Sequence, residues 1–167
     1  MDINSDAQDE EGFYAALLRE DAVGAVIRAQ IYVEHELIEF VKSRVAAPEI
    51  FQRADFQFNR LVRLSVALGL SDRFVRPLNA LAKIRNDFAH KLGTKLDDRR
   101  VSEFLEAFSF EMLQEAKSGI NRMHFPDGGG PTYERLNTRG RFDFHAFYLW
   151  AMLTAETRRV EQQKNSA

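Results

Sequence analysis

The chain has 167 residues, 45% of them apolar and 29% charged, which is a globular composition with enough length for one sizeable core. The absence of cysteine excludes a disulfide scaffold, a cysteine-based zinc site and thiol catalysis. A net charge of −2 excludes a protein drawn to nucleic acid by its overall field, and leaves room only for a local basic patch.

Residues 1–9 read as a disordered acidic N-terminus, with Asp2, Asp6 and Asp9 followed at once by Glu10 and Glu11. This is the opposite of the basic start and apolar run of a secretory signal. No stretch approaches the roughly 18 uninterrupted apolar residues of a spanning helix. Cytoplasmic placement with no membrane association is the expectation.

Helical periodicity then runs through a single domain over residues 10–163. A short helix is expected over Glu10 to Arg19. A long one follows over Asp21 to Val45, with Val23, Ile27, Gln30, Glu34, Leu37, Val41 and Val45 on one stripe. A third covers Phe56 to Leu68, with Leu61, Leu64 and Leu68 inward and Gly69 as its cap. Ser71 and Asp72 start a fourth, whose first turn Pro77 separates or distorts. Its seam is Phe74, Leu78, Leu81, Arg85, Phe88 and Leu92, closed by Gly93.

Asp97 or Asp98 caps a fifth helix running to Lys117, with Ser118 and Gly119 closing it. Residues 121–140 form a long loop holding Gly128, Gly129 and Gly130, and a last helix covers Phe142 to Gln163. The alternation Phe142, Phe144, Ala146, Tyr148, Trp150 also fits a strand, but the length of the segment favours helix. The fold expectation is all-α, an antiparallel bundle of about five to six helices. The aromatic run from Phe142 to Trp150 suits either the core or the interface of a homodimer.

Two charges fall in apolar seams, Glu34 on the second helix and Arg85 on the fourth. A charge buried alone is nearly always paired, so the expectation is a buried Arg85 held by Glu34. Around Arg85 lies the chemically most pointed segment, Arg85-Asn86-Asp87-Phe88-Ala89-His90. Asn86 and His90 are four apart on one helical face, and the three polar residues span a wedge of roughly 140°. A cation for a phosphate, an imidazole able to move a proton and an amide to orient it suit cleavage of an RNA phosphodiester by its own 2′-hydroxyl. Neither metal nor other cofactor is needed. The alternative is that Asn86 and His90 only terminate the helix.

An Arg followed by a polar residue and then a His, with four to six residues between Arg and His on a late helix, resembles the signature of the HEPN superfamily. That likeness implies a compact, usually dimeric helical bundle and, in many members, a metal-independent ribonuclease of toxin or defence systems. The stretch from Phe58 to Leu70, ending Ala67-Leu68-Gly69-Leu70, followed by Leu78 to His90, more specifically resembles the mannitol-repressor (MltR-like) family. So does the Glu34-bearing segment from Ala29 to Leu37, and the likeness covers about Ala22 to Val101. It implies a regulatory or interaction protein, acting in transcriptional regulation through its helical surfaces, with RNA or a regulatory protein as partner. On this resemblance the regulatory reading leads, with the HEPN-type ribonuclease, candidate catalytic residues Arg85, Asn86 and His90 and Glu34 orienting Arg85, as the alternative.

Weaker signals remain. His35 and Glu39 resemble two-thirds of a zinc-protease helix but lack a third ligand. The three glycines lead into Pro131 rather than a helix start, and so do not form a phosphate loop. Arg122, His124, Arg135, Arg139 and Arg141, interleaved with Phe125 and Tyr133, suit single-stranded RNA or an acidic partner, and suit an ordinary solvated loop better.

Overall fold

The computed structural model describes residues 12–51, 56–122 and 132–165, with the side chains of 121–122, 161 and 163–165 outside the description. Among the described residues every regular element is helical: α1 (12–19), α2 (Ala22–Arg44), α3 (Phe58–Ala67), α4 (Val75–His90), α5 (Asp98–Leu105), α6 (Phe110–Arg122) and α7 (Thr138–Asn165). The expected acidic tail over 1–9 and the three-glycine part of the long loop lie outside the described residues.

Local chemistry sets most helix ends. Asp21 Oδ1 accepts from Gly24 N at 2.7 Å and starts α2. Gly69, at φ +102°, turns the chain out of α3 while Leu70 N bonds back to Ser65 O at 2.9 Å. A single 3₁₀ turn over Asp72–Phe74 precedes α4, and Pro77 sits buried in the first turn of the helix proper. That is the separated start its position predicts.

Three boundaries differ from expectation, two of them because an N-cap was overlooked. The expected fifth helix is two helices. Ser109 Oγ accepts from Met112 N at 3.3 Å, and this cap opens α6 separately from α5. Ser118 and Gly119, the expected stop, lie inside α6. Asn137 Oδ1 accepts from Gly140 N at 2.8 Å, so α7 begins at Thr138 rather than Phe142.

The bundle is organised on α2, which packs against α7, α3 and α4, while α5 packs on α7 and α4. One core draws on all seven helices. Its aromatic centre stacks Phe13 on Tyr32 with centroids 4.1 Å apart, and sets Trp150 edge-on to Phe13 at 5.2 Å. Glu36, buried on α2, accepts from Thr157 Oγ1 of α7 at 2.6 Å.

The apolar stripe of α2 needs correction. Val23 and Ile27 are 43% and 45% exposed, and the inward face instead carries Val26, Ala29, Val33, Leu37 and Phe40. A helix clasped by several neighbours buries a face wider than one seven-residue seam. For Phe142 to Trp150, which the sequence leaves open between core and interface, the structure buries Phe142, Phe144, Phe147, Leu149 and Trp150 in the core and keeps Tyr148 half-buried.

Candidate functional site

Arg85, Asn86 and His90 are all solvent-exposed on the C-terminal half of α4. Arg85 Nη1 donates to Asn86 Oδ1 at 3.0 Å, so the amide braces the guanidinium beside it. The expectation of a buried Arg85 ion-paired to Glu34 in the core therefore does not hold. From Leu81 a helix permits an inward step of three, to Ile84, or of four, to Arg85. Ile84 takes the inward position at 5% exposure, which buries hydrocarbon and leaves the cation in water.

Glu34 and Arg85 nevertheless border one cleft of about 440 Å³. α2 contributes Gln30 and half-buried Glu34, α4 contributes Arg85 and Asn86, and the chain entering α3 contributes Phe56 and Phe58. Phe56 is stacked flat on Phe51 at 5.0 Å and 17°. Gln30 is 6% exposed, and its Oε1 is buried with no hydrogen-bond partner among the described residues. A dry, unpaired carbonyl is uncommon in folded proteins.

His90, at the last turn of α4, borders a separate hollow of about 220 Å³ shared with Val23, Phe88 and Leu92. Asp87 anchors this end of the helix. Its carboxylate takes Lys91 Nζ at 2.5 Å and lies 3.9 Å from Arg100 Nε. The Lys91 hydrogen bond above all, with neighbouring cations, holds the Asp87 carboxyl below the usual range. Thr94 Oγ1 donates to the Asp87 and Lys91 carbonyls at 3.1 and 2.7 Å, closing the helix end without His90.

The weaker candidates separate. Arg139 is a structural clamp rather than a free cation. Its Nε meets both Asp143 oxygens at 2.7 Å and its Nη2 donates to the carbonyls of Leu17 and Glu20 at 2.8 and 3.1 Å. Arg135 is exposed; His124 and the side chain of Arg122 lie outside the described residues. His35 is exposed and Glu39 binds Lys42 Nζ at 2.8 Å. Among the described residues no three potential metal ligands gather.

Reading the sequence missed two things. Phe58 and Asn59 open α3 and look like core or surface filler; only their place against α2 and α4 makes them cleft residues. His145 sits fully buried on α7, its Nδ1 2.8 Å from the Arg141 carbonyl and its Nε2 without a partner among the described residues. Burial chiefly pushes its pKa down to about 4.

No helix among the described residues is long and apolar enough to cross a membrane. Comparison of the chain with protein-family models, with curated proteins and with solved structures found no match in any of the three.

Proposed function

We propose that the protein is a cytoplasmic, metal-independent endoribonuclease of HEPN type, working at the exposed face of α4. The observation that carries this reading is the exposure of Arg85, Asn86 and His90 together, with Arg85 and Asn86 on the rim of a cleft. Residues that merely closed a helix would be satisfied by backbone, and Thr94 already does that work here. In the reaction the 2′-hydroxyl oxygen attacks phosphorus and the bond from phosphorus to the 5′-oxygen breaks. The 2′-hydroxyl proton passes to His90, and a proton returns to the departing 5′-oxygen. Arg85 offsets the charge that builds on the phosphate oxygens. Products are a 2′,3′-cyclic phosphate and a 5′-hydroxyl.

The purified protein should cut single-stranded RNA in excess EDTA and leave cyclic phosphate ends. His90→Ala should abolish cutting while changing stability by less than about 0.5 kcal/mol, the usual span for an exposed side chain. Intact RNA after incubation with the unmodified protein would overturn the proposal.

A second reading rests on a different observation. Val23, Ile27 and Ile31 form an exposed stripe at four-residue spacing on α2, 43–50% accessible. Such a stripe suits a protein partner, a second copy included, and the regulatory role of the MltR-like resemblance. It is the reading left standing if no RNA is cut.

A further inference from the structure

We infer that the groove between α3 and α4 is a track for the single strand on one side of the cut, with Arg63 holding a phosphate remote from the reacting one. The inference rests on the ribonuclease reading and adds a binding surface to its site.

The cleft of about 440 Å³ beside Arg85 does not end at α3. It meets a second hollow, of about 470 Å³, at Asn59, which borders both. α3 turns Asn59, Val62, Arg63 and Val66 toward this groove, at the steps of three and four that keep side chains on one helical face. α4 answers with Val75, Asn79, Ala82 and Asn86, spaced the same way, and with Arg85. From Val75 to Asn86 the helix rises about 16 Å, so the groove suits a run of linked units rather than one.

Its charge suits a polyanion, although the chain as a whole carries −2. Elsewhere on the surface Lys42, Lys83, Lys91 and Arg99 each meet a carboxylate at 2.9 Å or less. Arg63 is exposed and makes no hydrogen bond or ion pair among the described residues, and α3 holds no acid that could pair with it. Arg85 meets the neutral amide of Asn86 and no carboxylate among the described residues. Glu34 borders the cleft end, not the hollow that holds Arg63, and is already engaged. An unpaired guanidinium binds phosphate without first giving up an acid, and the contact releases the counterions held by the strand. The exposed amides of Asn59 and Asn79, free of hydrogen bonds among the described residues, offer both donors and acceptors to ribose hydroxyls. An acidic peptide would meet the arginines equally well. The aromatic wall at the cleft end, Phe58 and Phe56 backed by Phe51, favours a strand whose bases stack.

The test is fluorescence anisotropy of the full chain with a labelled 2′-O-methyl oligouridylate of about eight nucleotides, within the site sizes common for single strands. The methyl group removes the nucleophile, so binding is read apart from cutting, and ordinary RNA is incubated with the same preparation. Arg63→Ala should weaken binding about fivefold to tenfold, and the slope of log affinity against log salt should fall by about 0.7, the share of one phosphate contact. Arg99→Ala removes the same charge outside the groove and should change binding by less than about twofold, since exposed charges at a distance are screened. Melting temperatures check that both variants fold. Equal loss in the two variants, or none in either, overturns the track and leaves the ribonuclease wherever RNA is cut. Displacement by polyglutamate as effective as by unlabelled oligonucleotide also overturns it and assigns the groove to an acidic protein segment. Binding that depends on Arg63 with no cleavage of ordinary RNA keeps the groove as an RNA-binding surface and removes the ribonuclease. No binding at low salt overturns the track outright.

Discussion

Acidification from pH 7 to pH 4.5 should protonate His145 in the unfolded chain while the folded protein resists the proton. The imidazole is fully buried, edge-on to Phe108, Tyr133 and Phe144, with Nδ1 at the Arg141 carbonyl. Burial first, then the cations of Lys117 and Arg141, outweigh that backbone bond and hold its pKa at about 4 against an ordinary 6.5. A base whose pKa is lowered by folding contributes stability above its unfolded value and loses it as pH falls through the gap. At about 1.4 kcal/mol per pKa unit, the gap is worth about 3 kcal/mol, of which about 2–3 kcal/mol is lost by pH 4.5. Asp143 acts in the opposite sense. Burial pushes its carboxyl up to about 6 despite Arg139, so its contribution grows as pH falls from 6 toward 3.8. The two contributions nearly offset in the unmodified protein, and only a difference measurement separates them. Urea unfolding of the parent and of His145→Gln across this range should show the parent losing about 2–3 kcal/mol more than the variant. Parallel pH profiles would refute a buried, neutral His145.

Arg85→Leu should alter the unfolding free energy by no more than about 0.5 kcal/mol, since the guanidinium is exposed; a loss of several kcal/mol in denaturant would return it to the core. Arg139→Ala should cost about 3 kcal/mol, the lower end for a broken buried pair because Arg139 itself is 26% exposed, and hydrogen exchange should speed up in α1, whose carbonyls it holds. Trp150→Ala should cost about 3–5 kcal/mol by thermal or urea unfolding and leave the sedimentation coefficient unchanged; a variant as stable as the parent would move Trp150 out of the core.

The helices themselves were legible, because capping residues and apolar spacing agreed at Asp21, Gly69, Pro77 and Gly93. Apart from the overlooked N-caps, the two errors over which face points inward have a common physical origin. A period of 3.6 allows inward steps of three or four, and periodicity alone cannot choose between Ile84 and Arg85 or between Val26 and Val23. Tertiary neighbours choose, and α2 has several, α7, α3 and α4 among them. Arg85, Asn86 and His90 could be singled out by side-chain chemistry on one short segment. The opposite side of the cleft could not, since Gln30, Phe56 and Phe58 come from separate elements that only folding brings together.

The Arg139 clamp also constrains the order of events during synthesis. It joins α7 to carbonyls 119 and 122 residues upstream, and Thr157 reaches 121 residues back to Glu36. α2 cannot receive its principal packing partner until α7 has been translated, so the part of its apolar face that α7 covers stays open while most of the chain is being made. Contacts of such sequence separation slow folding and expose hydrophobic surface in the meantime. A nascent chain arrested before Thr138 should therefore hold helices without a closed core, and would be a natural client for a chaperone at the ribosome exit.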